Sequence, residues 1–381
     1  MLKNTAEFFK KTKDSTMSVL EDAMGSHKAI EATGTAASVV SRPLTTLSFV
    51  YFAQAILTQL SEPDPTDHVD IDKNVLKLVH LCSIASDEIY NEKDKRKIPS
   101  ELGKIIFENE KSKIGSVPFI ITESEELGMI FVIIRGSYCF NDFMTDLSLN
   151  SVEYNGGLMH SGVFSAANSL FVRSEDLITR LSESKGKKPI LFTGHSLGGG
   201  VAAISAYMMR TKHPSIESRA ICFAPPSSVN RDIWEQIKPY TMCFLLGGDP
   251  IPFLSLNNVA QISQTALPSM VSDFVQRAIA IEVQKVVPTP MCFNWDDDPF
   301  SSPPPTVEQI EDDYKKMVLR STALFPPGDP YHIVLSGGLF KSVDLFKIRN
   351  CDYFSRFIKG LDENHHSMSH YSECLAELLK K

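Results

Sequence analysis

The sequence predicts an α/β fold, with a mostly parallel central sheet flanked by helices. Three observations predict it. From residue 117 onward, short apolar runs alternate with helical stretches, and strand–helix–strand alternation builds parallel sheets through crossover connections. The 381 residues are 43% hydrophobic and 22% charged, the balance of a globular chain, and a chain of this length buries roughly three-quarters of its unfolded surface without help from disulfides. A Gly-x-Ser-x-Gly pentapeptide stands at a strand–helix junction.

Residues 1–60 read as helical and weakly amphipathic. Lys3, Lys10, Lys11 and Lys13 interleave with Leu2, Phe8, Phe9, Val19 and Leu20, which fits either a membrane-surface helix or a polar lead-in helix. Leu44 to Leu60 is the most apolar stretch, but its 17 residues include three threonines, one serine and two glutamines. A membrane span wants about 20 mostly apolar residues, so this segment reads as a buried or interfacial helix. SEPDPTD (61–67) is a proline-acid linker. It separates an N-terminal helical segment (1–67), a candidate for membrane association, from a domain over 68–381.

Within that domain, Val75, Leu78, Val79 and Cys82 recur at helical spacing in 71–90. VPFIIT (117–122) and MIFVIIRG (129–136), separated by ESEELG, read as adjacent strands or a hairpin. PILFTG (189–194) is a buried strand, 196–210 a helix, SRAICFA (218–224) a strand and 240–250 another. Residues 257–325 break the rhythm with an apolar helical segment, a proline- and aspartate-rich stretch and a charged helix, and read as an insertion over the sheet. YHIVLS (331–336) resumes as a strand, and HYSECLAELLKK ends the chain as a helix.

The net charge of −8 opposes a nucleic-acid partner, which demands a basic face to displace counterions. Seven scattered cysteines with no CxxC pair form neither a disulfide framework nor a zinc site. The N-terminus lacks the apolar core of a secretory signal. Together these predict a reducing compartment and a cytoplasmic protein that is not secreted, with peripheral contact to a membrane as the option its lysine-rich first residues leave open.

Gly194-His195-Ser196-Leu197-Gly198 follows an apolar strand and opens a small-residue helix. That setting makes a nucleophile elbow, with the serine hydroxyl exposed above the sheet on a strained turn. The competing reading is a glycine-rich helix start packed on a sheet. The helix N-terminus also points its free N–H groups and positive dipole end at this spot. An activated serine needs a histidine base and an orienting carboxylate, in the order Ser, acid, His. Asp249, just beyond the strand 240–246, has the right address. Asp329 is the runner-up, and Asp296–Asp298 reads as a solvated loop. After Asp249 the candidate bases are His332, His365, His366 and His370. His332 begins an apolar strand and reads as a core histidine. His195 is too close to its neighbour to serve it and reads as a packing residue. The oxyanion formed on acyl attack needs backbone donors held in advance. One is the N–H of Leu197. The other is the N–H of Ser137, supported by its hydroxyl, in the Arg135-Gly136-Ser137 turn that otherwise is an ordinary strand-ending glycine turn.

The motifs RGS (135–137), NDFMTDLS (141–148), MHSGVF (159–164), FTGHSLGGGVA (192–202), GGDPIPFLS (247–255) and HHSMSHYSECL (365–375) resemble, in order, the class 3 lipase family. These fungal-lipase-like α/β-hydrolases include the sn-1-specific diacylglycerol lipases. The resemblance covers residues ~70–380. It implies Ser196 as nucleophile, Asp249 as acid, and Ser137 and Leu197 as the oxyanion hole. Its closing motif, H-x-M-x-x-Y-x-x-x-L, selects His366 as base, and His160 matches a structural histidine. LFPPGDPYHI (324–333) and the 117-residue separation of acid and base are similar to the diacylglycerol lipase branch, which carries a regulatory insertion there. Two departures stand out: the four-span membrane domain of the embedded members has no counterpart here, and the disulfide framework of the secreted members is missing.

What the resemblance implies is serine-dependent hydrolysis of acyl esters in a di- or triacylglycerol, at a membrane or lipid-droplet surface, with no metal or cofactor. Phospholipase A1 or small-ester esterase activity is the alternative within the class. A catalytically silent lipid- or protein-binding scaffold is the alternative outside it. An apolar cover over the site is expected from residues 138–158 or from the insertion, where Leu267, Met270, Val271, Phe274, Val275 and Ile279 recur near helical spacing.

Overall fold

The computed structural model describes residues 67–110, 116–136, 151–184, 186–255, 258, 323–336, 342–355 and 361–381. All belong to one compact unit, Leu60–Gln261 with Lys316–Lys381. The expectations for residues 1–66, for both covering segments over 138–150 and 259–322, and for Asp296–Asp298 lie outside the described residues.

After β1 (Asp67–His68), helix α1 (Lys73–Glu88) starts where the Asp72 carboxylate accepts from the N–H groups of Asn74 and Val75, at 2.9 and 3.3 Å. That bond satisfies donors the first turn leaves without partners. β2 (Lys104–Asn109), β3 (Phe119–Ser124) and β4 (Met129–Ile134) follow as an antiparallel meander. A two-stranded hairpin, β5 (Ser151–Tyr154) and β6 (Gly157–His160), turns at Asn155-Gly156 with both residues at positive φ, 50° and 80°. Then come α2 (Ser161–Ser184), β7 (Ile190–His195), α3 (Leu197–Lys212), β8 (Ser218–Phe223), α4 (Arg231–Ile237), β9 (Thr241–Leu246), β10 (Asp329–Ser336), β11 (Ser342–Lys347) and α5 (Met368–Leu379).

The main sheet has nine strands in the order β1-β11-β10-β9-β8-β7-β4-β3-β2. Its five central strands, β4 and β7 to β10, pair in parallel, and both edges are antiparallel. β7 is buried at all six positions, which requires cover on both faces and explains why it reads as an unbroken apolar run. On one face α1 and α5 pack together, and Val79, Cys82, Ala85, Tyr371 and Leu375 join Phe131, Leu191, Phe223 and Phe244 in one core. α3 lies along β7 and β8 with α2 packed on it.

The parallel pairing brings the ends of β4, β7, β9 and β10 to one rim: Ile134 pairs with Gly194, Phe223 with Phe244, and Leu246 with Ile333. β9 and β10 are neighbours even though residues 257–325 come between them in sequence. Both ends of that excursion are pinned. Asn258 Nδ2 donates to the carbonyls of Phe253 and Phe354, each at 2.7 Å, and Phe325 exchanges backbone bonds with Val229 at 2.8 and 3.2 Å.

Candidate active site

Ser196 sits between β7 and α3 at φ 56° and ψ −128°, a left-handed conformation that costs a non-glycine residue of order 1–3 kcal/mol. The turn is held from both sides. The Ser196 N–H donates to the Phe223 carbonyl at 2.9 Å, and its carbonyl accepts from Gly199 and Gly200 at 2.9 and 3.2 Å. The crossing is so close that only glycine fits beside it. A Cβ on Gly194 would stand 2.6 Å from the Ile134 carbonyl oxygen, and one on Gly198 would stand 2.4 Å from it. The Ser196 hydroxyl makes no capping bond to α3, and the residue is 4% exposed.

Leu197 is the first residue of α3, so its N–H belongs to the set with no intrahelical acceptor. The end of β4 lies against this helix start: a Cβ on Gly136 would meet the His195 carbonyl at 2.5 Å and the Gly198 nitrogen at 3.4 Å. The turn carrying the second expected donor is therefore beside the elbow as far as Gly136. Ser137 itself lies outside the described residues.

Asp249 follows β9 and is 1% exposed. Its Oδ1 accepts from the Ile251 N–H at 3.0 Å, and its Oδ2 accepts from the Tyr371 hydroxyl at 2.7 Å. His366 places Nδ1 at 3.1 and 3.0 Å from the two carboxylate oxygens. A carboxylate only accepts, so Nδ1 carries the proton and Nε2 is left with its lone pair. Tyr371 fixes the acid further, because its hydroxyl also accepts from the Leu246 N–H at 2.9 Å. Burial, then the Asp249 charge, pushes the Tyr371 phenol well above its ordinary range, so it remains a donor. The His366 ring stacks at 4.4 Å on that of His195, the residue preceding Ser196. His195 is held by Tyr90, whose hydroxyl lies 3.3 Å from its Nδ1, and by an edge contact with Tyr371.

The other candidates are placed elsewhere. Asp329 pairs with Met242 at the start of β9, the opposite end of the parallel strands, and is salt-bridged to Lys347. His332 is buried in β10, with Nε2 donating to the Gly247 carbonyl at 2.7 Å. His370 lies on α5 and bonds the Asn364 carbonyl through Nδ1 at 3.0 Å. His160 caps the start of α2 by accepting from the Val163 N–H at 3.3 Å. Burial pushes the Cys82 thiol up to about 12 and Cys243 well above its ordinary range, so neither is a ready thiolate. Among the described residues no group of three or more His, Cys, Asp or Glu is placed to hold a metal ion.

Two buried imidazoles make stability depend on pH. Burial holds His195 well below its ordinary value of 6.5 and lowers His332 as well. Below about 6.5 the unfolded chain therefore binds protons that the folded chain refuses, and stability falls with pH by up to about 1.4 kcal/mol per pH unit for each ring. Urea midpoints measured from pH 8 to pH 5.5 are expected to drop. A flat profile would show that neither ring is protected from protonation.

Residues 131–259 match the family model described as Lipase (class 3). Over that segment the chain is similar to the class 3 lipase family. Among its relatives, diacylglycerol lipase-beta of Mus musculus is 29% identical over 164 residues, covering 41% of this chain and 24% of that protein. Diacylglycerol lipase-alpha of Homo sapiens is 24% identical over 255 residues, covering 60% of this chain and 23% of that protein. The chain thus spans about a quarter of the length of the curated relatives it matches. The fold has a counterpart in the solved structure of Rhizomucor miehei triacylglyceride lipase, at 12% identity and a TM-score of 0.51, over 78% of this chain and 94% of that one. A propeptide complex of Rhizomucor miehei lipase aligns with a TM-score of 0.52 at the same identity. The chain therefore has the α/β-hydrolase fold anticipated above. The matched segment holds Ser196, Leu197 and Asp249, while His366 lies beyond it.

Proposed function

We propose that this chain is a serine-dependent carboxylic ester hydrolase acting on glycerolipids, di- or triacylglycerol first among them. The observation that carries the reading is the direct bond of His366 Nδ1 to the buried Asp249 carboxylate, on the rim that also bears the Ser196 elbow. In this mechanism Ser196 Oγ attacks the acyl carbonyl carbon and its proton passes to His366 Nε2. Asp249 stabilises the imidazolium that forms. The oxyanion rests on the N–H of Leu197 and on Ser137. Collapse breaks the ester bond, and the glycerol oxygen leaves with the proton from His366. Water then gives a proton to His366 and attacks the acyl-enzyme, which releases the fatty acid and restores Ser196. The diacylglycerol lipases among the relatives point to the substrate class.

Residues 68–381 are proposed to form the hydrolase domain, with 257–325 as an insertion. Among the described residues no helix is long and apolar enough to cross a membrane, so the site is proposed to meet its lipid at an interface from one side. The test is fluorophosphonate labelling of the full chain, followed by a lipid panel. Labelling is expected on wild type and absent on Ser196→Ala, with fatty acid released from a glyceride. No labelling and no hydrolysis of any ester would leave a lipid-binding scaffold.

A further inference from the structure

The turn that carries Asp249 is gripped by two histidines from different parts of the chain. Gly247 and Gly248 have four backbone polar groups, and each has a named partner. The Gly247 N–H donates to the Ile333 carbonyl at 2.8 Å, and its carbonyl accepts from His332 Nε2 at 2.7 Å. The Gly248 carbonyl accepts from the Asp362 N–H at 2.8 Å. The Gly248 N–H donates to His365 Nδ1 at 2.9 Å. The fit is tight enough to exclude a side chain on the turn: Gly247 has φ +49°, and a Cβ there would stand 2.7 Å from His365 Nδ1.

The two imidazoles differ in what they tolerate. His332 donates, and a donor works whether the ring is neutral or charged. His365 accepts, and only a neutral ring with its proton on Nε2 can accept through Nδ1. Protonation puts an N–H against an N–H and expels Gly248, one residue from the catalytic carboxylate. Among the described residues, the titratable groups on the elements beside His365 include His332 on β10, Asp249 on the turn, and Asp362, His366 and His370 on its own segment. Burial, and after it a charge on His365, lowers His332 from its ordinary value.

We propose that His365 is a positioning residue: its unprotonated Nδ1 holds the Gly247–Gly248 turn, and through it Asp249, in the place that meets His366. The proposal rests on the acid and base roles proposed above.

The experiment compares the full-length wild type, His365→Leu and His365→Asn on a soluble short-chain nitrophenyl ester. Hydrogen–deuterium exchange over residues 245–250 is followed in parallel. At pH 8, His365→Leu is expected to lower kcat about tenfold, the worth of one lost hydrogen bond, with KM unchanged. His365→Asn, whose amide oxygen can accept from Gly248, is expected to recover to within about threefold of wild type. Exchange at the turn is expected to be fast in His365→Leu at pH 8, and slow in the other two. A wild-type kcat in His365→Leu, an asparagine variant as impaired as the leucine one, or slow exchange at the turn in His365→Leu would each overturn the proposal. A wild type that turns over no ester overturns the functional reading instead. The exchange arm tells the two failures apart, because it reports the grip on Gly248 without needing turnover.

Discussion

Ser196→Ala is expected to lower ester hydrolysis by about a thousandfold or more while the protein stays folded, because members of such a constellation act as a unit. The fold tolerates the change for reasons visible at the elbow. The hydroxyl does not cap α3, so its loss removes no hydrogen bond from the helix. Alanine adopts φ 56° at about the same cost as serine, and the bonds to Phe223, Gly199 and Gly200 use backbone atoms alone. What the variant keeps is the ready-made N-terminus of α3, which supplies only residual catalysis. Turnover of a soluble ester and of a glyceride emulsion, alongside thermal melts of both proteins, measures this. Unchanged turnover in a variant free of wild-type enzyme would remove Ser196 from the mechanism.

Asp249→Asn is expected to cost about ten-thousandfold at neutral pH, through the wrong histidine tautomer and not through lost shape. A carboxylate compels His366 to carry its proton on Nδ1. An amide has one oxygen, and Tyr371 at 2.7 Å and Ile251 at 3.0 Å already compete for acceptors there. Turning its NH2 toward His366 places the imidazole proton on Nε2, the atom that must take the serine's proton. His366→Ala is expected to lose activity on the same scale, whereas His370→Ala, whose Nδ1 bonds the Asn364 carbonyl and not Asp249, is expected to lose little. Proton NMR of the imidazole N–H in wild type and Asp249→Asn checks the tautomer directly. An asparagine variant that retains most activity would mean that His366 does not depend on Asp249.

The parts of the site that could be read from the sequence are those written in short windows. Gly194 to Gly198 reports its own turn, because close backbone crossings exclude every residue but glycine. The central strands announce themselves as apolar runs, since burial on two faces removes the alternation that edge strands keep. The hairpin of β5 and β6 was equally legible in Asn155-Gly156, the strongest short-range turn signal, and passes unnoticed beside the louder motifs. β2 and β11 are harder to see: β2 is an edge strand whose Ile105, Ile106 and Phe107 are exposed, so burial gives it no pattern. The support for the acid was not legible. Tyr371 lies 122 residues from Asp249 and His365 lies 117 from Gly248, and no local spacing records that α5 and its preceding turn fold back under β9. The closing motif singles out His366, which bonds Asp249, but gives no sign that its neighbour His365 accepts from the Gly248 N–H.

The two pins at Asn258 and Phe325 have a consequence for how this chain can change. Because β9 and β10 are hydrogen-bonded neighbours, the excursion between them has to close on itself whatever its length. Closure entropy grows with the logarithm of length, so doubling or halving the number of intervening residues alters the cost to the sheet by only about 0.6 kcal/mol. With Asn258 tied to Phe253 and Phe354, and Phe325 tied to Val229, a change of length stops at the anchors before it reaches Asp249. The spacing of acid and base along the chain is thereby free to drift while their spacing in the molecule is not. This rim is where sequence can be gained or lost most cheaply.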